Sequence, residues 1–175
     1  QIRNIGFSYH GNTDGFLKIL ADYDWDICQI QYNYFDEHSQ AGKAGLQAAA
    51  EKGVPVVIME PLRGGRLMKY MPKTSLKLME DYPVKRSAAE WALRWIWEQP
   101  QITCVLSGMN STEMLEENAR VASEVQVGEF SEEDHKLINT VRDDINRSFK
   151  IGCTGCSYCM PCPNGVNIPG NFKVY

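Results

Sequence analysis

Short apolar runs of strand length alternate with stretches of helical spacing along most of this chain, and that alternation restricts the fold more than any other feature. Residues 2–8, 27–32, 54–59 and 102–106 read as strands. The run 54–59 is apolar throughout and rich in β-branched residues, which suits a sheet buried on both faces. Between the runs lie helix signals. Asn12 or Thr13 offers a cap, and Phe16, Leu17 and Leu20 follow on one face. Residues 42–52 are Ala-rich and end at Gly53, a residue that tolerates the left-handed turn closing a helix. Residues 61–71 read as an irregular loop with at most a short helix. Residues 83–87 lead into a long helix through 98 that carries Trp91, Leu93, Trp95 and Trp97. A further helix spans 111–123. Ser131, with Asp134 three residues on, opens another in a capping-box-like pattern that runs to about residue 149. The order is β-α-β-α-β-α-β-α, then a helix and a tail. Repeated βα units predict parallel strands with helices outside.

Two α/β architectures fit that order. A doubly wound sheet would carry a Gly-rich turn after its first strand, and no G-x-G-x-x-G occurs here. The alternative is part of a TIM-type (βα)8 barrel. Four strands cannot close a barrel, so apolar surface is left for a missing segment or for another copy of the chain. The chain opens at Gln1 without Met, and it stops at Tyr175 soon after a cysteine-rich run. Both ends read as cut from a longer protein.

That run is C-T-G-C-S-Y-C-M-P-C-P at 153–163, with Cys153, Cys156, Cys159 and Cys162 each three residues apart. Sulfurs at this spacing, in a turn of small residues, can converge on one metal cluster. The pattern is close to the ferredoxin-type run of iron–sulfur proteins, with a shorter last gap and the trailing Pro163. A four-cysteine zinc site is the next reading, although such sites usually use two separated pairs. Disulfides are the third. Cys28 and Cys104 lie in apolar runs and are expected as buried free thiols, a usage that fits a reducing cytoplasmic compartment.

Composition excludes some classes. The 175 residues carry a net charge of −4, which argues against nucleic acid or an anionic membrane as the main partner. No apolar run reaches the roughly eighteen residues that span a bilayer, and no signal peptide opens the chain.

Several motifs together resemble the aldo/keto reductases, in the branch with a ferredoxin-like iron–sulfur C-terminal tail. They are I-G-F-S-Y-H-G at 5–11, Q-I-Q-Y-N at 29–33, M-E-P-L-R-G-G at 59–65, W-A-L-R-W at 91–95, S-G-M-N-S-T-E-M-L-E-E-N at 107–118 and the cysteine run. The resemblance implies the C-terminal half of the barrel, strands five to eight, over residues 1–128. A connecting helix over 129–150 and a truncated cysteine-rich tail over 151–175 would follow.

It also implies site residues. Ser8 and Gln29 match positions that hydrogen-bond the nicotinamide carboxamide of NAD(P)H, and Met59 matches a position that packs on the ring. Pro61, Leu62, Gly64 and Gly65 match the loop beside the pyrophosphate, where Arg63 offers either charge or a solvated cation. Gly108, Asn110, Glu117 and Asn118 match the adenosine end. Met114 stands where NADP-preferring members place an Arg. The cysteines Cys153, Cys156, Cys159 and Cys162 match 4Fe-4S ligands. His10 reads as a strand-end histidine near the cofactor groove. The family's catalytic Asp, Tyr, Lys and His belong to the other half, so no catalytic residue is assigned, and this chain alone is expected not to reduce a small carbonyl substrate. The competing class is a non-catalytic cofactor- or zinc-binding module that needs a partner segment.

Overall fold

The structure, a computed structural model, describes residues 1–148, 151, 153 and 157–174. Strands β1 (Gly6–Tyr9), β2 (Ile27–Gln31), β3 (Val56–Met59) and β4 (Ile102–Val105) form one sheet in the order β1-β2-β3-β4. All three pairings are parallel. The parallel sheet expected from the alternation is therefore present. Its order follows the chain without the reversal that a doubly wound sheet would show.

The helices are α1 (Thr13–Asp22), α2 (Gly42–Glu51), α3 (Arg66–Lys69), α4 (Lys73–Asp81), α5 (Ala88–Trp97), α6 (Thr112–Glu124), α7 (Glu132–Ser148) and α8 (Ile168–Val174). Several of their starts, those of α1, α5, α6 and α7, are fixed by short polar side chains. Asn12 Oδ1 accepts from Gly15 N at 2.9 Å, Ser87 Oγ from Glu90 N at 3.0 Å and Ser111 Oγ from Met114 N at 3.3 Å. Ser131 and Asp134 cap reciprocally: Asp134 N donates to Ser131 Oγ at 3.1 Å and Ser131 N to Asp134 Oδ2 at 2.9 Å. Each such cap satisfies an otherwise orphaned N–H, worth about 1 kcal/mol. The sequence reading had no counterpart for α4 or α8.

The core lies between the helices and one face of the sheet. Cys28, Ile30, Val56 and Ile58 point into it and meet Phe16, Leu20, Leu46, Ala49, Trp91 and Ile96. Tyr32 and Tyr34 are fully buried beside Trp95, with ring centroids at 5.3 and 6.4 Å. Burial raises both phenol pKa values far above the ordinary tyrosine range. α7 adds Leu137, Ile138, Val141 and Ile145 to this same core. The segment expected as a connector thus packs as an integral layer.

α5 and α6 are tied by charge. Arg94 reaches Glu90 at 2.8 Å, Glu124 at 2.8 Å and Glu129 at 2.9 Å, and Arg120 reaches Glu90 at 2.7 Å. Burial alone would raise the Glu90 pKa, but the hydrogen bonds from Arg120 and Arg94 outweigh it and lower it.

Among the described residues, the helices contribute to the core on one face of the sheet, and several residues of the opposite face are exposed. Side chains alternate along a strand, and β2 and β3 place Gln29 beside Val57, which in turn pairs with Cys104. Cys104 is exposed, as are Ser8 and Ile27. Cys28 meets the expectation of a buried thiol, and its pKa is pushed up to about 11 by desolvation. Cys104 does not, because its register turns it to the uncovered face. Among the described residues no helix is long and apolar enough to cross a membrane.

Candidate functional site

The C-terminal ends of β1, β2 and β3 bring polar side chains together on the uncovered face. Gln29 is at the centre. Its Nε2 lies 3.5 Å from Ser8 Oγ and 3.4 Å from Met59 Sδ. Three residues singled out from the sequence therefore meet. A hydroxyl and a carboxamide offer both donors and acceptors, and the thioether adds a soft apolar surface. The set suits a flat ligand with an amide edge.

Beside it lies a buried network that the sequence reading did not contain. Asn33 Oδ1 accepts from Phe35 N at 3.1 Å and Asp36 N at 2.9 Å, while Asn33 Nδ2 donates to the Glu60 carbonyl at 3.1 Å. Asp36 Oδ2 accepts from Gln31 Nε2 at 2.8 Å and pairs with Arg63 Nε at 3.0 Å. The side chains of Arg63 and Asp36 are 4% and 9% exposed. The Arg63 guanidinium also covers the Phe35 ring at 4.3 Å. Arg63 is thus buried rather than a solvated loop cation, and its Nε pairs with Asp36. Its φ is +52°, a left-handed conformation that costs a non-glycine residue about 1–2 kcal/mol. The sequence signal for the network was the carboxamide stripe Gln29, Gln31 and Asn33, whose period of two puts all three on one face.

Glu60 follows β3 and also has a positive φ, +52°. Burial raises its carboxyl pKa; nearby His10 opposes that shift, Asp36 adds to it and Arg63 opposes it. Glu60 therefore couples electrostatically to His10, which stands two residues beyond Ser8.

The loop after Glu60 is folded on itself. Arg63 N donates to Glu60 O at 3.0 Å and Gly65 N to Leu62 O at 2.9 Å. Pro61 is buried and Leu62 packs against the core. Gly64 and Gly65 have φ of +62° and +79°, which the turn into α3 requires. The Gly65 N–H is used inside the loop. Among the described residues the Gly64 N–H has no acceptor, and Gly64 is exposed.

At the start of α6, Gly108 and Asn110 are exposed. Asn118 and Glu117 are differently placed. Asn118 is buried, and its Nδ2 donates to Ser107 Oγ at 3.0 Å. Glu117 Oε1 accepts from Ser87 Oγ at 2.5 Å, at the cap of α5. Both side chains tie α6 to its neighbours.

In the tail, Cys153 and Cys162 are half-buried and Cys159 is exposed, while Cys156 lies outside the described residues. The described cysteines are free thiols. Among the described residues no three His, Cys, Asp or Glu side chains gather into a metal-binding group. Among the described residues, the tail touches the neighbourhood of the strand ends through Tyr158 and Cys153. The Tyr158 ring lies 4.5 Å from the His10 ring, and Arg66 Nη1 donates to the Cys153 carbonyl.

The profile of the aldo/keto reductase family matches residues 1–143. The chain is similar in fold to aldo-keto reductase AKR11C1 from Bacillus halodurans in its holo form, with TM-score 0.62 and 21% identity over 80% of this chain and 50% of that one. It is also similar to an aldo-keto reductase from Klebsiella pneumoniae in complex with NADPH, with TM-score 0.58 and 18% identity over 87% of this chain and 52% of that one. The chain spans about half the length of these relatives. A comparison with curated proteins finds no match.

Proposed function

The chain belongs to the aldo/keto reductase family, and we propose that it supplies strands five to eight of a (βα)8 barrel and carries the dinucleotide side of an NAD(P)H-dependent oxidoreductase. The observation that carries this reading is the Ser8–Gln29–Met59 group at the C-terminal ends of a parallel sheet with one face uncovered. Barrel enzymes build their sites at that end of the strands.

In this reading residues 1–128 are the half barrel, 129–150 the helix that packs on it, and 151–175 an iron–sulfur tail. When bound, the nicotinamide supplies a hydride; the chain's own residues bind and orient. Ser8 and Gln29 hold the carboxamide edge, and Met59 lies against the ring. Gly64 offers its N–H to the pyrophosphate beside Pro61, Leu62 and Gly65. Gly108 and Asn110 lie ahead of the α6 N-terminus, whose positive dipole end favours an anion. Asn118 and Glu117 support that end through Ser107 and Ser87. Reduction of a carbonyl also needs an acid to protonate the oxygen. That role falls to the other half of the barrel, which covers the open sheet face, so this chain alone is inactive toward a small carbonyl.

For the tail, thiolates on a loop of small residues suit iron–sulfur ligation, and Cys153, Cys156, Cys159 and Cys162 are the ligands of this reading. The group would supply one-electron chemistry.

The test is a fluorescence titration with NADPH, with iron and sulfide assayed on the same anaerobically purified protein. We expect Gln29→Leu to weaken NADPH at least tenfold, about 1.4 kcal/mol, without changing iron content. An unchanged Kd in the variant refutes the cofactor assignment. A colourless, zinc-loaded protein refutes the iron–sulfur tail.

A further inference from the structure

A cleft of about 530 Å³ opens in the helical layer, bordered by α2, the end of α5 and α7. None of Ser8, Gln29 or Met59 lines it, so it is separate from the group at the strand ends. Its volume lies within the range of small-molecule sites, about 300–1,000 Å³. From α7 it takes His135, Asn139 and Arg142. Spacings of four and three residues put these on one face of the helix, and the seven residues from first to last carry the cleft about 10 Å along it.

The two ends of that line differ in charge. At the Arg142 end, the Glu37 carboxylate takes Arg142 Nη1 at 2.9 Å and Lys43 Nζ at 3.1 Å. Two cations share one carboxylate, which leaves a positive charge in excess. The Lys43 side chain is 64% exposed, so its other donors are open to a ligand. Glu98 stands at the far end with its side chain 8% exposed. Its Oε1 lies 3.4 Å from His135 Nε2, and its Oε2 accepts from Phe130 N at 3.1 Å. Burial raises the Glu98 carboxyl pKa, and His135 opposes that rise. Carboxyl and imidazole balance each other there. The end therefore suits a neutral group that can donate to one and accept from the other, and a hydroxyl does both. Between the ends lie Asn139 and Trp95. Among the described residues, neither the Asn139 amide nor the Trp95 indole N–H has a hydrogen-bond partner.

We propose that this cleft binds a sugar monophosphate of pentose or hexose size, with its phosphate on Lys43 and Arg142 and its far hydroxyls on Glu98 and His135. A phosphate offers three strong acceptor oxygens to the donors that the two cations have left. The sugar supplies neutral hydroxyls for Asn139 and for the balanced end, and its length suits poles about 10 Å apart. The site does not depend on the dinucleotide reading.

The test titrates the full chain with glucose 6-phosphate and with ribose 5-phosphate. The readout is the indole N–H resonance of Trp95 in nitrogen-15 NMR; the chain has four tryptophans, and Trp95→Phe assigns the peak. Saturable movement is expected with at least one of the two, and the parent sugar and inorganic phosphate should each bind about tenfold weaker or worse. Lys43→Ala should weaken the sugar phosphate about tenfold and Asn139→Ala about threefold. Both residues are exposed, so these variants leave the core intact. Lys136→Ala removes an exposed charge from α7 outside the cleft and should leave the Kd unchanged. No saturable movement with either sugar phosphate overturns the proposal. Inorganic phosphate binding as tightly means an adventitious ion only and overturns it too, as does a parent sugar binding as tightly. A Kd unchanged in Lys43→Ala or in Asn139→Ala, or an equal loss in Lys136→Ala, places the ligand elsewhere and also overturns it.

Discussion

Replacing Asp36 by Ala should be among the most damaging single changes in the molecule. The carboxylate is buried, pairs ionically with Arg63 Nε at 3.0 Å and accepts from Gln31 Nε2 at 2.8 Å. Its removal leaves the Arg63 charge buried without that partner, and breaking one side of a buried pair costs about 3–5 kcal/mol. The Gln31 amide loses its acceptor for about 1 kcal/mol more. The sum is about 4–6 kcal/mol, against a total stability of about 5–15 kcal/mol for a typical domain. With a urea dependence of about 2 kcal/mol per molar, the midpoint should fall by about 2–3 M. The pair is not intrinsically stabilising, since burying two charges nearly offsets their attraction. A double variant, Asp36→Leu with Arg63→Met, should therefore recover most of the loss. Urea unfolding followed by tryptophan fluorescence reads all three proteins. A single variant within about 1 kcal/mol of wild type, or a double variant no better than the single, would refute the reasoning.

Two other changes test the strand ends. Glu60 has a carboxyl pKa raised above its ordinary value of 4.5, chiefly by burial. A raised carboxyl contributes stability below its unfolded value and loses it as pH climbs through the folded one. In urea melts, Glu60→Gln should therefore gain progressively on the wild type as pH climbs above the ordinary carboxyl value of 4.5, and a difference constant with pH would sink the assignment. Gly6 is exposed, yet a Cβ there would lie 2.5 Å from the backbone oxygen of Ile27 on β2. Gly6→Ala should cost about 1–3 kcal/mol by forcing β1 from β2; a loss below about 0.5 kcal/mol, as at an ordinary surface site, would show that the strands can separate freely.

Where local chemistry decides an element, the sequence disclosed it. Asn12, Ser87, Ser111 and the Ser131–Asp134 pair all cap as their types suggest. The helix α4 escaped because its buried positions are Ser75 and Met79, which make no apolar stripe. Ser75 is buried because its hydroxyl donates to Asp144 on α7 at 2.6 Å, a tertiary fact. The α8 signal was present in Asn167, whose Oδ1 accepts from Gly170 N at 3.0 Å, but the Pro and Gly that follow hid it. Cys104 was misjudged because residue type does not tell one face of a sheet from the other. At the candidate site, the motifs within single strands singled out Ser8, Gln29 and Met59, whose side chains meet in the fold. The Asp36–Arg63 pair joins two separate loops, and only the fold brings them together.

Because helices seal just one face of the sheet, the molecule divides in time as well as in space. The sealed layer joins β1 to α1, β2, α2 and β3, neighbours along the chain, and contacts of short sequence range form early. Nothing in that step shelters Ile27 or Cys104, which remain hydrated. On the proposed half-barrel reading, their burial waits for a second apolar surface, an encounter governed by search and concentration. Under that reading the exposed face can capture another unfinished chain during the wait, so yield would depend on how promptly the correct surface arrives.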